Sequence, residues 1–346
     1  MEKKISIIIP CYNVEKYIDR CVQSLVSQTI GVDSLELIFV DDASTDSTVE
    51  KLVLWEKQYP ESILVVTCEE NGRQGKARNI GFQYASAEYI SYVDSDDWVE
   101  LDMFQEMYQK AIASQAEVVA CGMARDCGDG KLFDVTEICN NKEELMYINT
   151  VHERHKFLQL KFGPVVAKLY KKSFLIENEI IFPEGLAYED NYFGGLVAYS
   201  VISVYIINKI FYHYFSNTQS TVTQKNALHH LDRLEIEIRL YEEFCNRGYG
   251  AEFLTEMNEN FLRRYYLNSL HLLFMRFSEV PYDVLNQMRQ EVLQRFPDYK
   301  ESAIYQQLPE ISKGFCLTLE ADMTKERWDN LASNYRYLVE KNGSKI

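Results

Sequence analysis

The first hundred residues alternate short apolar runs with amphipathic segments. The stretch "ISIIIP" (5–10) is an apolar run closed by proline, a pattern typical of a buried strand. Strands alternating with helices in this way predict an α/β chain with a doubly wound, mostly parallel sheet. The later strand-like runs are 35–42, 62–70 and 89–97, and the helix-like segments between them are 17–28, 44–58 and 75–86.

The pattern of apolar and polar residues changes twice in the rest of the chain. The run "VVACGMARD" (118–126) predicts another strand, and the pattern is then less regular up to about residue 225. From residue 226 the periodicity is helical. Its apolar stripe comprises Leu228, Leu231, Leu234, Ile238, Tyr241 and Cys245.

Composition narrows the function classes. The 346 residues are 47% hydrophobic and 25% charged, which is ordinary for globular proteins, and the net charge of −16 argues against nucleic acid as a partner. None of the eight cysteines forms a C-x-x-C pair, so zinc-ribbon and thioredoxin interpretations lack support. The apolar run 196–207 is shorter than the ~20 residues of a membrane span, and the start does not resemble a signal peptide. We therefore expect a cytoplasmic protein, with peripheral contact at the inner face of the plasma membrane left open.

Polar clusters follow three of the predicted strands, at Cys11–Asn13, Asp41–Asp42 and Asp94–Asp97. In doubly wound sheets ligands bind at the carboxyl ends of the strands, so these clusters should converge. Like charges as close as those of the third cluster repel, and a divalent cation such as Mg²⁺ or Mn²⁺ would compensate them together with substrate phosphates. A solvated acidic turn or helix cap is the alternative, and the apolar run before the cluster favours the metal site.

Two other metal-linked interpretations fit less well. An EF-hand loop needs an oxygen ligand at the position of Trp98. A phosphatase of the haloacid dehalogenase type also has D-x-D after a strand, but usually near the start of the chain and with Thr or Val in place of that tryptophan.

Five ordered motifs together resemble family 2 glycosyltransferases, which have the GT-A nucleotide-sugar transferase fold. They are "SIIIPCYNVEKYIDRCVQSLVSQT", "LELIFVDDASTDST", "NGRQGKARNIGF", "AEYISYVDSDD" and "YEDNYF". The resemblance covers roughly residues 3–225 and indicates the bacterial surface-polysaccharide type. It implies a GT-A domain at 1–225, with a nucleotide-binding half (1–105) and an acceptor half (106–225). A helical C-terminal region would follow at 226–346.

The resemblance also implies a role for individual residues. Tyr12 would lie against the base, an aspartate of the pair at 41–42 would accept a hydrogen bond from base or ribose, and Arg78 would reach the diphosphate or the sugar. Ser44 or Asp46 is expected to cap the helix after the second strand, which would free that pair for the nucleotide. The whole nucleotide-sugar set is Pro10, Tyr12, Asn13, Glu15, Asp41, Asp42, Gly75, Arg78, Asp94 and Ser95.

The same resemblance implies a metal site and a catalytic base. Asp96 would ligate the metal directly, with Asp94 and Asp97 assisting. Inverting transfer needs a base for the acceptor hydroxyl, and Asp190 matches that position with Glu189 beside it. The chain departs from the family pattern at Phe215, where arginine is common, and around Lys168. His213 is expected to be structural.

The expected function is inverting, metal-dependent transfer of a hexose or N-acetylhexosamine from a nucleotide diphosphate, expected to be UDP. The acceptor would be a glycan or a lipid-linked molecule, and the cofactor Mn²⁺ or Mg²⁺. A non-catalytic nucleotide-sugar-binding subunit and a metal-dependent phosphohydrolase remain as alternatives. A homo-oligomer through the C-terminal helices is also left open.

Overall fold

The computed structural model describes residues 2–128, 132–134, 143–160, 162–216 and 223–342. By its internal packing the chain divides into two units, Met1–Asn217 and Thr218–Ile346. The first unit is α/β and the second is helical, which confirms the expected fold class with its C-terminal helical region. The functional division at residue 225, and the halves 1–105 and 106–225, stay predictions.

One mixed sheet organises the first unit, in the order β3-β2-β1-β4-β9-β6-β10-β5. Its first four members are mutually parallel, β9 joins them antiparallel, and β6 and β10 are parallel to each other. Strands β7 and β8 pair with β6 and β10. The strands are β1 (Ile5–Cys11), β2 (Leu35–Asp41), β3 (Ile63–Thr67), β4 (Tyr89–Tyr92), β5 (Trp98–Val99), β6 (Val118–Asp126), β7 (Leu132–Asp134), β8 (Glu144–Tyr147), β9 (Lys168–Lys171) and β10 (Ser203–Phe215).

Seven α-helices are described in the first unit. They are α1 (Ile18–Val26), α2 (Thr48–Gln58), α3 (Arg73–Tyr84), α4 (Met103–Ser114), α5 (Val151–Leu158), α6 (Lys172–Glu177) and α7 (Glu189–Ser200).

Strand β1 lies between β2 and β4 in the sheet, and every one of its residues is buried. Burial on both faces is what a parallel strand covered by helices requires, and it explains why every residue of β1 except Ser6 is apolar. Helix α1 packs its stripe onto the same core, with Ile18, Cys21, Val22 and Leu25 fully buried.

Helix α3 is held close to its neighbours at two glycines. A Cβ at Gly81 would lie 2.4 Å from Cγ2 of Ile8, and one at Gly75 would lie 2.3 Å from the carbonyl oxygen of Pro183. Real Cβ atoms do not approach other atoms so closely, so the helix needs glycine at both points. The approach at Gly75 places the first turn of α3 beside Glu189 at the start of α7.

The second unit has its own aromatic core. Its core includes one apolar face of the segment 261–274, with Phe261, Leu262, Tyr265, Tyr266, Leu270 and Phe274 all buried. Part of this segment, Leu262–Asn268, is π-helical. The α-helices of this unit are α8 (Asp232–Asn246), α9 (Gly250–Phe261), α10 (Ser269–Arg276), α11 (Tyr282–Arg295), α12 (Ala303–Gln307), α13 (Glu310–Cys316) and α14 (Lys325–Asn342).

The predicted stripe from Leu228 to Cys245 is wrong at its ends. Helix α8 begins only at Asp232, and the preceding residues form a separate 3-10 helix in which Leu228 is 74% exposed. The predicted apolar stripe therefore does not continue without a break from the 3-10 helix into α8. Among the described residues, no helix is long and apolar enough to cross a bilayer.

Candidate active site

The three polar clusters meet at the carboxyl ends of β1, β2 and β4. The backbone N–H of Asp42 donates to the carbonyl of Cys11 at 2.8 Å, and Ser95 lies buried beside the Cys11 thiol. The register of the parallel strands brings these ends to one edge of the sheet, as the sequence indicated.

The loops after β1 and β2 are tied together. The N–H of Asn13 donates to Oγ of Ser44 at 2.9 Å, and Oδ1 of Asn13 accepts from the N–H of Thr45 at 2.8 Å. Both loops contain a left-handed residue other than glycine, Asn13 (φ 53°) and Ala43 (φ 62°). Such strained backbone persists where its surroundings fix it, and it is concentrated at functional sites.

The capping expectation for α2 holds in part, because Asp46 accepts a hydrogen bond from the N–H of Thr48, the first helical residue, while Ser44 does not cap the helix. The N-cap is Ser47, and its side chain makes no capping bond. Ser44 instead holds the neighbouring loop, while Asp46 accepts from the N–H of Thr48 at 3.0 Å and from that of Glu15 at 3.1 Å. Both residues therefore fix the relative position of two loops, a use that local sequence does not reveal.

Asp41 ends β2 and Asp42 follows it, and each has a carboxylate oxygen that accepts a backbone hydrogen bond. Oδ2 of Asp41 accepts from the N–H of Ser44 at 3.0 Å, and Oδ1 of Asp42 accepts from the N–H of Gly72 at 2.8 Å. Burial raises the pKa of Asp42. Oδ1 of Asp41 is buried and has no hydrogen-bond donor among the described residues. A buried acceptor without a donor is costly, so this oxygen is a natural place for a ligand N–H or O–H.

The remaining predicted nucleotide residues lie along the same rim. The Tyr12 ring is 48% exposed and open to a stacking partner, while Pro10 belongs to β1 opposite Val40. Glu15 is tied into the loops, because its carboxylate accepts from the N–H of Ser47 at 3.1 Å. The nucleotide contacts of these residues stay predictions.

Asp97 supports the Asp94–Asp97 loop from inside. It is 0% exposed, its Oδ2 accepts from the Tyr212 hydroxyl at 2.5 Å, and its Oδ1 accepts from the N–H of Phe215 at 2.8 Å. Burial, followed by the charges of Asp94 and Asp96, raises its pKa well above the ordinary value. Both oxygens accept hydrogen bonds, so this residue supports the loop, and its assistance at a metal stays a prediction.

Asp96 has the opposite environment. It is partly buried, and among the described residues the hydrogen bond found at its carboxylate comes from its own backbone N–H. Burial, with the nearby charge of Asp94, raises its pKa to about 6. A largely desolvated carboxylate without a side-chain hydrogen bond among the described residues favours a cation.

A divalent cation fits these residues if substrate supplies part of its shell. Within the described ranges, no three or more His, Cys, Asp or Glu side chains form a ready metal cage. Mg²⁺-type sites commonly use one or two carboxylates with substrate phosphates, and Asp96 with the second oxygen of Asp94 meets that need.

Arg78 connects the Asp94–Asp97 loop with the start of α7. This guanidinium is 2% exposed, donates from Nη2 to Oδ1 of Asp94 at 2.8 Å, and forms an ion pair from Nη1 with Glu189. Burial alone would lower the pKa of Arg78, but the two carboxylates raise it. The predicted contact of Arg78 with diphosphate or sugar stays a prediction, since the structure shows it engaged by protein carboxylates.

The acidic turn separates two neighbouring carboxylates. Helix α7 begins at Glu189, after Tyr188 in a left-handed conformation (φ 64°). Glu189 is buried against Arg78, whereas Asp190 is partly exposed. Consecutive helical residues point about 100° apart, so the ion pair fixes the turn while Asp190 faces another direction. Asp190 is thus the carboxylate of the pair that can meet an acceptor.

The structure shows the environment of His213, which was expected to be structural, and of Lys168, where the chain departs from the family pattern. His213 is buried, stacks on Trp98 at 3.6 Å and shares a hydrogen bond with Glu100 at 2.7 Å, so it is structural. Lys168 is buried, with its ammonium bonded to the carbonyl of Pro164, and it therefore supports the fold at this point.

Two residues at the site were missed. The Tyr212 hydroxyl contacts both ends of the Asp94–Asp97 loop, since it donates to Asp97 and accepts from the N–H of Asp94 at 3.1 Å. Arg20 donates from Nη2 to the carbonyl of Asp96 at 2.8 Å. The partners of both are more than 70 positions away, beyond any local pattern. A cation in the first turn of a helix was the one available signal for Arg20, because the helix dipole disfavours it.

Comparisons with known proteins show the family of the chain. Residues 6–178, half of the chain, match the family described as Glycosyl transferase family 2. The poly(ribitol-phosphate) beta-glucosyltransferase of Bacillus spizizenii is 34% identical over 191 residues, 55% of this chain, and the match spans only 28% of that relative.

Solved structures show the fold. TarS 1-349 of Staphylococcus aureus, crystallised with UDP-GlcNAc, matches with a TM-score of 0.75 at 19% identity, over 96% of this chain and 92% of that one. The mannosyltransferase PcManGT of Pyrobaculum calidifontis, with GDP-Man and Mn²⁺, matches with a TM-score of 0.50 at 14% identity, over 100% and 89%. These likenesses confirm the expected GT-A fold.

Proposed function

The chain belongs to glycosyl transferase family 2, and from that premise we propose that it is an inverting, divalent-metal-dependent glycosyltransferase. It would move a sugar from a UDP-linked donor to a glycan or lipid-linked acceptor of a cell-surface polysaccharide. The observation that carries the proposal is the pairing of Arg78 with both Asp94 and Glu189. That pairing sets a candidate metal loop and a candidate base at one edge of the sheet.

The donor nucleotide would lie across the ends of β1 and β2. The unpartnered Oδ1 of Asp41 can accept from an N–H of the base, and the exposed ring of Tyr12 can stack on it. TarS was crystallised with UDP-GlcNAc and with UDP, which supports UDP as the nucleotide. The sugar of the donor is left as a hexose or N-acetylhexosamine.

Asp96 and Asp94 would hold Mn²⁺ or Mg²⁺. The bound cation would stabilise the charge that develops on the leaving diphosphate. The neighbour from Pyrobaculum calidifontis, which contains Mn²⁺ with its donor, supports this cofactor.

Asp190 would act as the general base. It takes the proton of an acceptor hydroxyl as that oxygen forms a bond to the anomeric carbon. The bond from that carbon to the diphosphate oxygen breaks on the opposite side, so the configuration inverts. Glu189 would hold the turn through Arg78 while Asp190 receives the proton.

The acceptor is proposed by likeness alone. The relative from Bacillus spizizenii is named for action on poly(ribitol-phosphate), which supports a polyol-phosphate polymer or another surface glycan. A site of action at the inner face of the plasma membrane remains part of this proposal.

A thermal-shift screen tests the donor and the metal together. UDP-glucose, UDP-GlcNAc, GDP-mannose and UDP are each added with Mn²⁺ or with EDTA. A ligand at 100 times its Kd adds about 2.7 kcal/mol to the free energy of unfolding. We expect a UDP compound to raise Tm only when Mn²⁺ is present. Stabilisation by GDP-mannose alone, or equal stabilisation in EDTA, would contradict the assignment.

A further inference from the structure

Arg20 has an arrangement that the stability of its own helix does not explain. It lies in the first turn of α1, where the helix dipole disfavours a positive charge. Its side chain is 39% exposed, yet it is held on three sides by parts of the chain far away in sequence. Long surface side chains usually keep their rotamer freedom, so this degree of fixation needs a reason.

The three contacts come from the ends of three different strands. Nη2 donates to the carbonyl of Asp96 at 2.8 Å, after β4. Nη1 is paired at 3.2 Å with Oδ2 of Asp126, the last residue of β6. The guanidinium carbon lies 4.4 Å from the ring centroid of Phe215, the last residue of β10.

Asp126 is itself fixed, so it is a firm anchor for the guanidinium. Its Oδ2 also accepts from Nε1 of Trp98 at 3.0 Å, and its Oδ1 accepts from the N–H of Gly128 at 2.8 Å. Burial would raise the pKa of Asp126, but these hydrogen bonds and the charge of Arg20 lower it. The carboxylate is therefore a stable anion that keeps Arg20 in place.

The contact with Asp96 fixes its backbone and leaves its side chain open. The carbonyl of Asp96 is held by Arg20, while no side-chain hydrogen bond to its carboxylate is found among the described residues. On the other side of the loop Arg78 is occupied by Asp94 and Glu189, so its charge is directed there. Arg20 is then the cation that contacts the loop at Asp96.

We propose that Arg20 is a positioning residue for the Asp94–Asp97 loop. Its planar guanidinium joins the Asp96 carbonyl to Asp126 and Phe215, and so fixes the Asp96 carboxylate where the cation of the donor diphosphate binds. The inference rests on the proposed function. A planar fork can donate to two acceptors and stack on a ring at once, which an ammonium group cannot do.

Calorimetric titration of UDP, once with Mn²⁺ and once with EDTA, tests this role. The proteins are wild type, Arg20→Gln, Arg20→Lys and the control Arg125→Gln. Arg125 is exposed and lies next to Asp126 in the sequence, so the control removes the same charge. Thermal unfolding of each variant checks the fold.

We expect Arg20→Gln to reduce the Mn²⁺-dependent gain in UDP affinity by at least about tenfold. Binding in EDTA should stay within about twofold, and Arg20→Lys should lie within about threefold of Arg20→Gln because it lacks the fork. The control should match the wild type. If Arg20→Gln fails to fold, Phe215→Leu replaces it, since this change removes the ring under the guanidinium and should also reduce the Mn²⁺-dependent gain.

Three results would overturn the positioning role. They are an unchanged Mn²⁺-dependent gain in Arg20→Gln, full recovery in Arg20→Lys, and an equal loss in EDTA, which would indicate direct contact with phosphate. A wild-type protein that binds UDP without any Mn²⁺ dependence would instead refute the proposed metal site. The wild-type titration shows this result before any variant is made.

Discussion

Arg78 and Glu189 lie 111 positions apart in the chain and form a buried ion pair. The same guanidinium also pairs with the carboxylate of Asp94, at 2.8 Å. One side chain thus joins the candidate metal loop to the turn that carries Asp190. The sequence placed Arg78 against the ligand, whereas the structure shows it first as the link between the two chemical centres.

Replacing Arg78 should destabilise the protein strongly. Arg78→Met leaves two carboxylates without their cation, and loss of one partner of a buried pair costs about 3–5 kcal/mol. Urea denaturation of this variant should show that loss in the free energy of unfolding. The double variant Arg78→Met with Glu189→Gln should recover part of it. The exposed Arg125→Gln control should stay within about 0.5 kcal/mol of wild type. An Arg78→Met protein as stable as that control would mean that the pair contributes nothing.

Asp96 should carry the metal dependence of donor binding. Asp96→Asn removes a charged ligand, so the affinity for UDP with Mn²⁺ should fall by at least about tenfold, or ~1.4 kcal/mol. Calorimetry measures it. Asp102→Asn is the matched control, since Asp102 is also partly exposed and its side chain does not cap the following helix. Equal affinities for the two variants would remove Asp96 from the site.

Gly75 should tolerate no side chain. Gly75→Ala would place a methyl group 2.3 Å from the carbonyl of Pro183, so α3 must move away from the segment before α7. Overpacking of this kind costs about 1–3 kcal/mol, and we expect lower UDP affinity as well because Arg78 lies on the same helix.

A helical glycine with free space provides the control for that substitution. Gly314 in α13 has no atom within 4 Å of an added Cβ. Gly314→Ala should therefore be neutral or stabilise by up to about 1 kcal/mol, as helix propensity predicts. Chemical denaturation compares the two. Equal effects at both positions would show that the approach of α3 to Pro183 is unimportant.

The stability of the second unit should depend on pH through His230. This residue is buried, its Nε2 donates to the carbonyl of Gln224 at 2.8 Å, and burial lowers its pKa below 6.5. Below pH 6.5 the unfolded chain binds a proton that the folded chain does not. The free energy of unfolding should therefore fall as the pH drops from 6.5 through the folded pKa. His230→Gln should lose less over this interval in thermal unfolding; an identical pH profile would contradict the assignment.

The strand ends could be predicted from local pattern, because an apolar run followed by aspartates records both burial and the edge of a parallel sheet. Asp96 and Asp97 could not be told apart in this way. Their environments differ because Tyr212 and Phe215 engage only the second, and those residues come from a strand more than 110 positions later. Neither the periodicity nor the motif spacing of the sequence predicts these contacts with Asp97.

The helix start at α2 shows the same limit on a smaller scale. Ser44 and Asp46 have the chemistry of caps, and local reasoning assigned them that role. In the fold Ser44 accepts from Asn13 of the loop after β1, and Asp46 accepts from Glu15 of that loop as well as from Thr48 at the helix start. Competition between a local and a distant hydrogen-bond partner is decided by tertiary structure.

Transfer chemistry at Asp190 is the central claim, and product analysis by proton NMR tests it most directly. The purified chain is supplied with Mn²⁺, an α-linked UDP-sugar and a poly(ribitol-phosphate) or surface-glycan acceptor, and the anomeric configuration of the new bond is read from its coupling constant. We predict a β-linked product. Asp190→Asn should retain donor affinity while the single-turnover rate falls by roughly 10²–10⁴, and Glu189→Gln should affect the chemical step less. An α-linked product, release of phosphate in place of transfer, donor binding without turnover, or near wild-type transfer by Asp190→Asn would contradict the account.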